Sequence, residues 1–133
     1  MRYIAFVHKE EGTDFGVSFP DFPGCVSAGR TMDEALAQAA EALQGHVEVM
    51  EADGETIPAP RDIEAIMKDP DLADWREGAV IAAVPLIRDL GSTTRINVSL
   101  DLGLLKAIDE AAAERKQTRS AFLASAARRE LVE

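Results

Sequence analysis

Residues 93–100, TTRINVSL, alternate strictly: Arg95, Asn97 and Ser99 are polar, while Ile96, Val98 and Leu100 are apolar. A strand with that pattern buries one face and offers the other. The rest of the chain beyond it holds no second strand. LDLGLLKAIDEAAAERK carries Leu102, Leu105, Ile108 and Ala112 along one helical face, with Gly103 tolerable in a first turn. QTRSAFLASAARRELV carries Phe122, Leu123, Ala126 and Leu131 on a second helix, for which Thr118 is the better N-cap and Ser120 the next. One strand and two short helices cannot bury a core by themselves, and a lone strand leaves its hydrogen-bonding groups open at both edges. Both problems disappear if two chains pair these strands antiparallel and interlock their helices. The C-terminal part is therefore expected to be an obligate homodimer, with assembly beyond the dimer left open.

A two-stranded antiparallel ribbon fits the major groove of B-DNA, where each base pair shows its own pattern of donors and acceptors. Arg suits guanine, Asn suits adenine and Ser can serve either. Arg95, Asn97 and Ser99 are the expected base-reading residues. The N-terminus of the second helix is an anion site, so Thr118, Arg119 and Ser120 are expected to grip a backbone phosphate.

The net charge of -10 would argue against nucleic acid if it were evenly spread. It is not. Residues 1–90 hold 7 Lys and Arg against 18 Asp and Glu, net -11, and residues 91–133 hold 7 against 6, net +1. An acidic front part suits a cationic protein partner, although many soluble proteins are acidic for solubility alone. No apolar run approaches the roughly 20 residues needed to cross a bilayer, and no signal peptide is read at the N-terminus. The single cysteine, Cys25, fits a reducing compartment. The expectation is a cytoplasmic protein without a membrane partner.

Residues 2–8 and 15–19 read as strands around the polar turn KEEGTD, and a third short strand is expected at Cys25–Ala28, after Pro20 and Pro23 interrupt the ladder. Thr31 with Glu34 forms a capping pair that starts a helix, with Leu36, Ala39, Leu43, Val47 and Met50 as its packing stripe. That helix ends near Gly54, which can take the left-handed cap. TIPAP is extended, RDIEAIMK reads as a short helix stopped by Pro70, and AVIAAVPLI reads as a strand inside the sheet or at its covered edge. The fold class is α+β: an N-terminal βββαβ domain over residues 1–88, a linker at 89–92, and the strand–helix–helix module over 93–133.

Residues 93–132 resemble a ribbon-helix-helix DNA-binding module. The front of the chain, with VSFPDFPGCVSAGRTMDEALAQAAEAL, DGETIPAP and AVIAAVPL, resembles the HicB antitoxin family, and the FPDFPGC turn followed by the IPAP segment is the most specific part of the likeness. The resemblance implies a partial ribonuclease H-like fold without its catalysis. It also implies a small basic RNA-cutting toxin of the HicA type as partner, occluded by the front domain, and repression of the protein's own operon by the back one. It gives no residue-level toxin contacts; Asp21, Phe22 and Cys25 in the FPDFPGC turn are the expected ones.

A ribonuclease H-like catalyst needs carboxylates converging on divalent metal ions. The strand RYIAFV has none, and Glu34, Glu41 and Glu48 run along one solvated side of a helix. No enzyme activity, metal or cofactor is expected. His8 and His46 lack partners at metal-ligand spacing, Cys25 has no adjacent Lys or Arg to lower its pKa and suits a small buried position, and Trp75 reads as a packing anchor. The alternative function is a stand-alone repressor whose front domain senses a small ligand in an apolar pocket.

Overall fold

The alternation in RYIAFVH becomes β1, Arg2–His8, which is covered on both faces. Tyr3, Ala5 and Val7 point one way and Phe6 the other, all buried. In the computed structural model, which describes residues 1–132, β1 pairs antiparallel with β2 (Phe15–Phe19) on one side and β4 (Val80–Pro85) on the other. β3 (Phe22–Gly29) pairs antiparallel with β2, so the sheet runs β3-β2-β1-β4. β3 starts three residues earlier than its sequence suggests. Pro23 is tolerated there because β3 is an edge strand, where a missing N–H need not break the ladder.

One face of the sheet receives α1, Met32–Ala52, whose N-cap Thr31 accepts a hydrogen bond from the Glu34 N–H. Ala35, Ala39, Leu43 and Val47 are its buried stripe, packed with Tyr3, Val17, Phe19, Phe22, Cys25 and Val84. Small residues at 35 and 39 let the helix approach closely. The approach is tightest at Gly29, where an added Cβ would lie 2.7 Å from the Ala35 Cα and 2.8 Å from the Glu34 carbonyl carbon.

The other face is covered by the segment that the sequence pattern places least well. It folds as α2 (Ile63–Lys68), a 3-10 turn (Pro70–Leu72) and α3 (Ala73–Arg76). Ile66 and Leu72 pack on Phe6 with Trp75, whose ring stands edge-on to Phe6 at 5.7 Å and whose Nε1–H donates to Ser18 Oγ at 2.7 Å. Trp75 is thus an anchor in packing and in hydrogen bonding.

Residues 1–89 and Leu90–Leu131 are separate compact units. The second contains α4 (Leu102–Glu114) and α5 (Arg119–Val132). The strand expected at 93–100 is not formed within one chain, because a ladder needs a second strand and this unit has none to give.

Gly29→Ala should force backbone at the start of α1 to move, costing about 1–3 kcal/mol as overpacking does. Thermal unfolding of the variant checks this: a melting temperature equal to the parent's would contradict the close approach.

Candidate nucleic-acid interface

Residues 92–100 lie outside helix and paired strand, and every one of them is exposed. Arg95, Asn97 and Ser99 are therefore free to meet a ligand. Yet so are the apolar residues between them, with Ile96 75% and Val98 60% exposed. Leu102 and Leu104, at the start of α4, are exposed as well. Within the unit only Ile108 and Ala112 are buried among the described residues. A single chain thus leaves uncovered the stripe that its alternation sets apart for burial.

The helix pair beyond this segment is well specified. Asp101 caps α4 by accepting from the Gly103 and Leu104 N–H groups, and Thr118 Oγ1 caps α5 by accepting from the Ala121 N–H at 3.1 Å. Between the helices the Gln117 N–H reaches back to the Ala112 carbonyl and the Lys116 N–H to Ala113, which is a Schellman closure. Lys116 occupies its left-handed position, φ 54°, where glycine is normally preferred.

Arg119, in the first turn of α5, is not idle in the free chain. Its Nε and Nη2 donate to Asp109 Oδ1 and Oδ2, both at 2.9 Å, tying α5 to α4. The hydrogen bonds from Arg119 hold the Asp109 carboxyl below its ordinary value. The pair therefore persists above the ordinary carboxylate range and is lost as pH falls through the lowered value. Ser120 is exposed in the same turn.

The turn residues Asp21, Phe22 and Cys25 are placed differently from the toxin contacts anticipated for them. Phe22 is buried edge-on against Tyr3 at 4.7 Å, with the half-buried His46 ring on another side at 5.8 Å. Cys25 is buried, and desolvation pushes its thiol up to about 11. The Asp21 side chain is 4% exposed and takes two hydrogen bonds from Arg61, from Nε at 2.6 Å and from the backbone N–H at 3.1 Å. All three side chains are enclosed by their own chain, Cys25 in the small buried position its sequence suits. Among the described residues, no group of three or more His, Cys, Asp or Glu is placed to hold a metal ion, and no helix is long and apolar enough to cross a membrane.

Residues 3–127 match the family described as HicB-like antitoxin of bacterial toxin-antitoxin systems. The chain belongs to that family. An uncharacterised 14.9 kDa protein of Haemophilus phage HP1 is 36% identical over 118 residues, 87% of each chain. The structure resembles the antitoxin HicB of Burkholderia pseudomallei, with 39% identity, a TM-score of 0.56 and 98% of both chains covered. It also resembles the chain matched in the HicA3–HicB3 toxin-antitoxin complex, at 32% identity and TM-score 0.53, over 67% of this chain and 99% of that one.

For this HicB-like antitoxin, the two most specific sequence motifs are two sides of one joint. Phe22 of FPDFPGC packs on Tyr3, whose hydroxyl donates to the carbonyl of Pro58 in IPAP at 2.6 Å. Asp21 of the first motif binds Arg61, which directly succeeds the second. Arg61 also donates to Asp69 Oδ2 at 2.9 Å. No sequence periodicity points to Arg61; its partner Asp21 lies 40 positions away.

These placements have two measurable consequences. Lys116→Gly should stabilise the second unit by about 0.5–1 kcal/mol, since glycine accepts a positive φ without the Cβ penalty; denaturant titration measures it. Cys25 should react with a thiol reagent far more slowly in the native protein than in denaturant, and equal rates would contradict its burial.

Proposed function

We propose that this chain is an antitoxin with two working ends. Residues 1–88 bind and neutralise a small basic HicA-type toxin that cleaves mRNA. Residues 93–133 form a ribbon-helix-helix homodimer that binds operator DNA and represses the chain's own operon. Both activities belong in the cytoplasm.

The observation that carries the DNA end is the uncovered stripe of Ile96, Val98 and Leu100 alternating with Arg95, Asn97 and Ser99. Pairing two such segments antiparallel supplies the missing ladder and covers the stripe with helices. Burying each Ile, Val or Leu contributes about 1.5–3 kcal/mol. The polar face then points outward as a unit, Arg95 toward guanine, Asn97 toward adenine and Ser99 toward either. The exposed N–H groups of the first α5 turn, with the Thr118 and Ser120 hydroxyls, offer donors to a phosphate. Arg119 reaches it by sharing or leaving Asp109. The toxin end is supported by family membership, by the HicA3–HicB3 complex of a relative, and by the net -11 over residues 1–90.

The decisive test has two readouts. The chain should co-purify with its operon's toxin in a fixed ratio and relieve that toxin's growth arrest, and it should footprint the DNA upstream of its own gene. Asn97→Ala should cost about 1–3 kcal/mol on that site and relax one base position. Arg119→Ala should weaken binding to every sequence and lower the slope of log affinity against log salt by about 0.9 for each phosphate it no longer neutralises. An Asn97→Ala protein that footprints like the parent removes the assigned reading face.

A further inference from the structure

We infer that the cationic toxin docks on the outward side of α2 and the 3-10 turn after it, centred on Ile63 and Met67 and edged by Glu64, Asp71 and Asp74. This rests on the antitoxin reading above and says which surface of the front domain does the work. α2 turns Ile66 inward onto Phe6. Ile63 and Met67, one helical turn apart, are left together on another side, 41% and 50% exposed. Two large apolar side chains held adjacent in water make the kind of centre around which a protein interface closes, and methionine adapts readily to a partner's shape.

The charge around that centre is more one-sided than the sequence suggests. Residues 61–77 include three cations, but two are half-buried and engaged in hydrogen bonds within the chain. Arg61 is held by Asp21 and Asp69, and Arg76 Nη1 donates to the carbonyls of Ile66 and Asp69. Lys68 is the exposed cation that remains, against the exposed carboxylates of Asp62, Glu64, Asp71, Asp74 and Glu77. The outward surface is thus complementary to Lys and Arg side chains that a ribonuclease needs for phosphates, so docking there competes with RNA for the same groups. The outer side of α1 is acidic too, through Glu41 and Glu48, yet Val49 is its single exposed large apolar residue among those described. It offers charge without an apolar centre.

The test uses the full chain and a catalytically inactive HicA-type toxin from the same operon, with affinity read by titration and on-rate read at several salt concentrations. Met67→Glu, and separately Asp71→Lys with Asp74→Lys, should each weaken binding about 10-fold or more, the double variant chiefly through a slower, less salt-sensitive on-rate. Glu41→Lys with Glu48→Lys makes the same change in net charge on α1 and should alter affinity less than about 3-fold. Circular dichroism shows whether each variant is folded; if Met67→Glu is not, the Asp71 and Asp74 pair carries the test. Parent-like binding by the α2 variants, or an equal loss in the α1 control, overturns the docking surface while the antitoxin reading stands. A parent chain that binds no toxin at all sinks both.

Discussion

Apolar side chains that alternate along a backbone without a ladder must find cover, and the second unit of this chain cannot supply it. Ile96 and Val98 face water, and the neighbouring helices bury only Ile108 and Ala112 among the described residues. In the proposed function the unit is half of a core. Its helices are nevertheless closed by good caps, Asp101 for α4 and Thr118 for α5, so what the unit lacks is cover for the stripe and not local specification. In the proposed function this has a direct consequence. The DNA-reading face exists only when the ribbon is paired, so occupancy of the operator depends on the chain's own concentration through dimerisation.

The first unit depends on a different constraint, the ion pair of Asp21 with Arg61. A carboxylate so enclosed is costly to desolvate, and removing only its partner would leave an uncompensated buried charge. Held together, the two residues fasten the β2–β3 turn to the segment that crosses under the sheet, and Asp69 extends the link. The Tyr3 hydroxyl bond to Pro58 pins the same segment from β1. A joint made of the two family motifs thereby positions α2 and pairs the Arg61 charge with Asp21 and Asp69. Motif, packing and the proposed docking surface are one chain of causes.

Much of this could be read from local pattern. The strands at 2–8 and 15–19 arise from β-rich runs around a polar turn, and α1 from Thr31 at its start and Gly54, φ 74°, beyond its end. The alternation at 93–100 marks a segment whose apolar residues the chain itself leaves exposed. What could not be read depends on contacts distant in sequence. The short helix before Pro70 is legible in RDIEAIMK, but where the 61–76 segment packs is not, since its placement comes from Phe6, Ser18 and Asp21. Pro23 looks like a breaker until the strand order makes β3 an edge. Cys25 reads as a small buried residue and is one, but the enclosure of Asp21 and Phe22 beside it is not visible in sequence, because it depends on Arg61 and Tyr3. The Asp109–Arg119 pair joins two helices ten positions apart and has no signature in composition.

The most direct measurement is residue-resolved amide hydrogen exchange across 94–100 in the intact protein at two concentrations. A paired ribbon predicts slow exchange at every second amide, weakening on dilution toward the dissociation range. Exchange at the rate of an unfolded peptide through the whole segment, while α4 and α5 stay protected, would mean that the strands do not pair, and the DNA-reading face would be lost with them.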